Sequence, residues 1–262
     1  MTEHTLPPAS SIPAVRQVSI DDLRAALRAG WTDFRRAPLF GLAFSSVYVA
    51  GGLVLYAVFL ASGQSWWFIP IAVGFPLLAP FAASGLYEVS RRIEAGEPLA
   101  WNAVAGCLLA QRDRQAPSMA MVVMLAFMFW VFVAHTIFAL FFGMRPITGS
   151  TWEMLLTPAG LQMLALGSVI GGVMALTLFA LTVISLPLLL DREVDFITAM
   201  ITSVQAVMQS PVTMLVWAGI IAGLLFLAML PWFLGLLVVL PVLGHASWHL
   251  YRMVLPRDAQ TG

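Results

Sequence analysis

The sequence predicts an all-α fold: a polytopic membrane helix bundle of six transmembrane helices, arranged as three helix-pair pseudo-repeats with cytoplasmic amphipathic helices. Three observations predict it. Hydrophobic residues make up 60% of the chain and charged residues only 10%, whereas an ordinary globular domain carries about a quarter charged residues to cover its surface. Several apolar runs exceed the roughly 20 residues that cross a hydrocarbon core as helix. An amphipathic approach segment, a proline and a pair of apolar segments also recur, with Asp22 to Pro38, Trp101 to Pro117 and Asp195 to Pro211 equally spaced. Repeated spacing of this kind marks a supersecondary unit.

Composition excludes several classes. The formal net charge is zero and all thirteen basic residues are arginine, so no bulk charge attracts nucleic acid. Cys107 is the only cysteine, which excludes an internal disulfide and a multi-cysteine metal centre. Residues 1–18 contain three prolines and no continuous apolar region, and read as a flexible tail, neither a signal peptide nor a lipid anchor. Residues 19–262 then form a single six-span membrane domain, with pseudo-repeats at about 19–92, 98–192 and 194–255.

Ser19 and Asp22 have the spacing of a capping box, hydroxyl and carboxylate each meeting a free backbone amide. Leu23, Leu27, Trp31 and Phe34 share one face of the helix that follows, and Asp21, Arg24, Arg28 and Arg35 take the remainder. This predicts a helix at a membrane surface, arginines toward headgroups and aromatics pressed inward, or docked on another protein. Pro38 suits a first helical turn, and Leu39 to Leu60 is the first span. Trp66 and Trp67 open the second, which runs to about Ser90. Its Pro70, Pro76 and Pro80 predict kinks, each removing a backbone bond. The freed carbonyls need hydroxyls, water or a ligand.

Glu94 to Gln115 is a second amphipathic approach. Ser118 to Phe142 is the third span and Leu161 to Leu190 the fourth, with Gly143 to Gly160 between them as the longest connection. Asp195 to Gln209 is the third approach, Pro211 to Leu230 the fifth span, and the sixth reaches about Leu255 past Pro241. Twelve of the thirteen arginines fall on one side of this topology and only Arg145 on the other. Basic residues near spans stay in the cytoplasm, so both termini are expected there, in a bacterial inner membrane.

Ionisable groups at membrane depth are functional candidates by default. His135 lies in the third span, and His245 and His249, four residues apart, share a face of the sixth. Such imidazoles either ligate haem or a metal or hydrogen-bond across the bundle; no cysteine or carboxylate is paired with them in the sequence, so no cofactor and no metal is expected. Tyr87, Glu88, Arg91 and Arg92, joined by Asp191, Arg192 and Asp195, form a second candidate cluster. It either lines a cytoplasmic vestibule or partner surface, or fastens surface helices to span ends through pairs three and four residues apart. No phosphate loop, zinc-protease signature or nucleophile elbow is present.

Gly30, Trp31 and Asp33 before Pro38, the run Gly74, Phe75, Pro76, Leu77 and Leu78 leading into Gly85, Leu86, Tyr87, Glu88, Val89, Ser90, Arg91 and Arg92, and the stretch Leu186 to Asp195 together resemble a bacterial family of integral membrane proteins, domain of unknown function 2189. The resemblance extends over roughly Val15 to Met253. It implies a membrane fold and supplies no substrate, cofactor or catalytic residue. The expected function is a non-enzymatic accessory, assembly or regulatory component of a membrane complex. The expected partners are the lipid bilayer and another integral membrane protein, without nucleic acid. The alternative is a small transporter or channel with a path along proline-broken helices.

Overall fold

A computed structural model describes residues 14–62, 79–111, 116–143 and 151–256. The described elements are all helices: α1 (Ile20–Arg36), α2 (Pro38–Ser62), α3 (Ala79–Ala95), α4 (Trp101–Ala110), α5 (Ala116–Phe142), α6 (Thr151–Leu155), α7 (Pro158–Thr182), α8 (Ser185–Asp191), α9 (Phe196–Gln209), α10 (Pro211–Met229) and α11 (Leu236–Val254). The expected tail falls largely outside the described residues. Its last part is tied down: Arg16 donates its backbone N–H to the Val254 carbonyl, and Val18 donates to Ser210 Oγ at 2.9 Å.

Local chemistry accounts for the helix starts. Ser19 and Asp22 form the capping box that opens α1, and the Asp22 carboxylate accepts from the Ser19 backbone at 2.8 Å. The helix stops at Ala37, because the ring of the following proline disfavours helical backbone in the residue before it. Pro38, Pro158 and Pro211 each occupy the first position of a helix, where a missing N–H costs nothing. Thr157 and Asp195 cap α7 and α9 through their side chains.

The axis of the bundle is α11, which packs against α1, α2, α3 and α10 and also meets α8. Trp248, Leu250, Tyr251 and His245 are fully buried on it. Helices α5 and α7 form a separate pair, connected to the rest by α9 and α8. Extensive apolar surface stays exposed on these outer helices, including Met121, Met128, Phe132, Val169 and Val173. Surface of that size suits hydrocarbon rather than water.

The expected six spans are corrected to four. Among the described residues, four helices are long and apolar enough to cross a membrane: Pro38–Val58, Pro117–Phe142, Pro158–Asp191 and Pro211–Met229. The sixth expected span is α11, whose apolar run Leu236 to Val239 gives way to Pro241, His245, His249 and Arg252. Its second half, from Leu240 on, lies mostly buried inside the bundle, where its polar groups find partners. Of the second expected span, residues 63–78 lie outside the described residues; the described part, α3, carries Glu88, Arg91, Arg92 and Glu94.

A glycine decides how α1 meets α11. A Cβ on Gly30 would stand 2.6 Å from both the Ala246 nitrogen and the Val242 oxygen, so the two backbones are in direct contact and cannot yield. This contact also rotates α1 away from the expected orientation. Ala26, Gly30, Asp33 and Phe34 are buried with Leu23, while Trp31 is turned outward. Gly30→Ala is expected to lower stability by about 1–3 kcal/mol, the usual cost of overpacking. Gly106→Ala on α4, where nothing lies within 4 Å, is expected to leave stability equal or slightly raised, since alanine is the better helix former. Thermal melting in detergent compares the two variants; equal melting would remove the close-contact account.

Candidate functional site

The buried face of α1 carries a carboxylate, and that placement organises the site. Asp33 lies one turn after Gly30, so the close approach of α11 removes it from water together with the glycine. A buried carboxylate requires donors, and two neighbouring helices supply them. Ser90 of α3 donates from Oγ to Asp33 Oδ2 at 2.8 Å, and His249 Nε2 of α11 meets the same oxygen at 2.7 Å. Ser90 Oγ is also 2.8 Å from His245 Nδ1. Desolvation pushes the Asp33 carboxyl up, but the bonds from His249 and Ser90 outweigh it and hold the group below its ordinary value.

These contacts assign the protons. An ionised carboxylate only accepts, and a serine hydroxyl has one proton to give. That proton goes to Asp33, so His245 Nδ1 must carry the hydrogen it shares with Ser90 Oγ. His245 Nε2 is then bare, and it is buried with no hydrogen-bond partner among the described residues. Burial pushes this imidazole down to about 4, against the pull of Asp33. The neutral ring serves as the end of a hydrogen-bond chain running His249, Asp33, Ser90, His245.

The second expected cluster resolves into two joints. In the first, Glu88 is fully buried and is gripped by Arg91, through Nε at 2.8 Å and Nη2 at 2.9 Å, and by Arg92 Nε at 2.7 Å. Arg91 extends the grip to both Glu97 oxygens at 3.1 Å. Burial raises the Glu88 carboxyl, and the Arg91 hydrogen bond and charge more than reverse this, holding it below the ordinary carboxylate range. Burial, with the Glu88 charge, pushes the nearby Cys107 thiol up to about 11, so it is kept protonated. Tyr87 is buried in the apolar core beside these groups.

In the second joint, Glu94 of α3 accepts from Trp248 Nε1 at 3.1 Å and Arg252 Nε at 3.0 Å. Asp191, ending α8, accepts from the Tyr251 hydroxyl at 2.8 Å, with Arg252 Nη1 at 3.7 Å. Arg192 Nη2 donates to the Leu255 carbonyl at 3.2 Å. Asp195 stands apart from both joints as the α9 cap, accepting from the Thr198 backbone at 2.9 Å. His135 bonds the carbonyl of Val131, one turn back in its own helix, at 2.6 Å, and is not brought to His245 and His249. Among the described residues no group of three or more His, Cys, Asp or Glu is placed to hold a metal ion.

The sequence points to His245, His249, Glu88, Arg91 and Arg92, and to Glu94 as a neighbour in the same polar group, but not to the roles of Asp33, Ser90, Tyr251 and Trp248. The available signal was an acid at position 33 on the same helical stripe as Ala26 and Gly30, because a charge on a small-residue face must be paired across an interface.

Hydroxyls meet backbone groups near two of the described prolines, a carbonyl in one case and an N–H in the other. Pro241 interrupts α11, and Ser45 Oγ of α2 lies 3.4 Å from the Leu237 carbonyl, which the proline cannot bond. Before Pro187, where α7 gives way to α8, the Ile184 N–H donates to Ser203 Oγ at 3.1 Å. Pro70 and Pro76 lie outside the described residues.

The site makes stability pH-dependent in a direction that can be worked out. For Asp33 and Glu88 the folded value is depressed, so their contribution is present above the ordinary values of 3.8 and 4.5 and is lost as pH falls through the folded values. His245 acts earlier. Between its ordinary 6.5 and about 4 the unfolded chain binds a proton that the folded chain refuses, so stability falls as pH drops through that window. A shift of this size corresponds to about 3 kcal/mol. His245→Asn keeps a donor to Ser90 and cannot titrate, so its melting temperature should stay flat across the window in which the parent protein declines. Parallel curves would refute the assignment.

Residues 68–191 match the family model described as "Predicted integral membrane protein (DUF2189)". No curated protein and no solved structure matches the chain. The match is narrower than the resemblance from Val15 to Met253: it contains Glu88, Ser90, Arg91, Arg92 and Asp191, and leaves out Asp33, His245 and His249. With four apolar helices long enough to cross a bilayer among the described residues, the chain is a multi-pass membrane protein, and its residues 68–191 are similar to this family of predicted integral membrane proteins.

Proposed function

We propose that this protein is a non-enzymatic accessory component that assembles with or regulates another complex in a bacterial inner membrane, its arginine-rich helix ends and both termini on the cytoplasmic side. One observation carries the reading: the buried charges are matched within the bundle. Glu88 is held by Arg91 and Arg92, and Asp33 by Ser90 and His249; the more exposed Glu94 is likewise bonded, by Trp248 and Arg252. Charges already bonded within α3 or across to its neighbours are not presented to a substrate, and the Ser45 hydroxyl meets the carbonyl freed at Pro241. A rigid, internally neutral bundle with little polar surface outside the bilayer suits a part that packs into a larger membrane machine.

A second reading, a small proton-linked transporter, draws support from the bare Nε2 of His245 at the end of a hydrogen-bond chain. Intramembrane chains of Asp and His are used as proton relays. In vesicles with a pH-sensitive dye inside, this reading expects proton entry that Asp33→Asn abolishes; the accessory reading expects none from either protein.

Gentle purification from native membranes with mass spectrometry of the co-purifying chains tests the main proposal, which expects a stoichiometric integral membrane companion. A protein that runs alone in several mild detergents counts against it. For the orientation, Glu153→Cys on exposed α6, in a Cys107→Ser background, is expected to react with an impermeant thiol reagent only from outside the cell. Reaction from the cytoplasmic side alone would reverse the assigned topology.

A further inference from the structure

The arginines of this protein divide into two groups. Arg16 and Arg24 are paired with Asp22 and Asp21 at 3.2 and 2.8 Å. Arg91 and Arg92 hold Glu88, Arg252 holds Glu94, and Arg192 bonds the Leu255 carbonyl. Arg28, Arg35 and Arg36 have no hydrogen-bond or ion-pair partner among the described residues, and all three are exposed on α1. Among the described residues, uncompensated positive charge is therefore concentrated on a single helix.

The position of that helix narrows what can meet the charge. Arg35 and Arg36 occupy the last turn of α1, directly before Pro38, where the first span begins. Arg28 and Arg35 are seven residues apart and so share a face, with Trp31 between them and 46% exposed. Leu39, one residue into the span, is 70% exposed. The order along the chain is guanidinium, indole, guanidinium, aliphatic. These are the chemistries a bilayer interface brings together: guanidinium for headgroup phosphates, indole for the amphipathic belt favoured by tryptophan, and an aliphatic side chain for hydrocarbon. The acids of α1 do not compete. Asp21 is taken by Arg24, Asp22 serves the cap and Arg16, and Asp33 is buried on the opposite face.

We propose that the outer face of α1, formed by Arg28, Trp31, Arg35 and Arg36, is a binding surface for the headgroups of anionic phospholipids. Each guanidinium fork can take two phosphate oxygens, the Trp31 ring sits at the ester level, and Leu39 reaches the acyl chains. The inner face of α1 is committed to α11 through Gly30 and Asp33, so this surface is presented as a rigid array. Bound anionic lipid would seat α1 and, through Asp33, the polar chain at a fixed depth.

The test uses the full chain in nanodiscs of equal phosphatidylglycerol and phosphatidylcholine, with the lipids retained after detergent release counted by native mass spectrometry. Phosphatidylglycerol should be retained in preference. The preference should fall about fivefold for each of Arg28→Gln, Arg35→Gln and Arg36→Gln, the effect of one basic residue at an anionic surface. It should also weaken as salt is raised. Arg24→Gln, which removes an arginine already held by Asp21, should change it little, and melting temperature confirms that each exposed-site variant is folded. Equal retention of the two lipids by the parent protein would overturn the proposal, as would single variants that retain phosphatidylglycerol like the parent. Displacement of the lipid by inorganic phosphate at comparable concentration would also overturn it, because the ligand would then be a free anion.

Discussion

Asp33 is the constraint from which the architecture follows. A carboxylate shut away from water is tolerated only with hydrogen-bond donors at close range, and here the donors come from other helices: Ser90 and His249. Helices α3 and α11 must therefore bring those residues to α1, in one register each. The Gly30 contact with Val242 and Ala246 allows the approach. The acid then penalises any other packing, since sliding α11 by a turn would strand a buried charge. Polar groups in a core are costly individually, but a fully bonded set specifies one arrangement of helices.

The same logic extends outward along α3. Glu88 is oriented by two consecutive arginines, and Glu94 one and a half turns later reaches across to Trp248 and Arg252 of α11. Arg252 also approaches Asp191, which Tyr251 holds from the same helix. Helices α3, α8 and α11 are thus joined at one end by ion pairs whose members are largely shielded from solvent, where screening by salt is weakest. At the other end α11 returns from α10 through Trp232 and Phe233, both in the left-handed region of backbone space. Such a turn is strained for non-glycine residues, and the seat that Gly52 leaves for the Phe233 ring supports it. The outer pair α5 and α7 offers lipid a wide apolar surface.

How much of the site was legible depends on what kind of information each residue carries. The i,i+3 and i,i+4 pairing of Glu88 with Arg91 and Arg92 is local helix geometry, and so it could be read directly. The sharing of one face by His245 and His249 could be read too. Their partners could not, because Asp33 and Ser90 are separated from them by more than 150 residues of chain, and no local periodicity records which helices meet. Trp31 was assigned inward because its hydrophobicity suits a core. The structure turns it out because the edge with the smallest side chains, Ala26 and Gly30, allows the closest backbone contact.

The sequence alone determined the helical class, the membrane setting, the proline that starts each major span and the cap that starts α1, since each depends on composition or on neighbours within a turn or two. Only the tertiary structure decided how many helices face lipid. The segment ending in Val254 is apolar enough at its start to look like a span, yet whether such a helix meets hydrocarbon or protein is settled by its neighbours. His245, His249 and Arg252 are bonded by Ser90, Asp33 and Glu94, which α11 reaches only by packing within the bundle. Hydrogen bonds between distant helices, rather than hydropathy, put α11 at the centre.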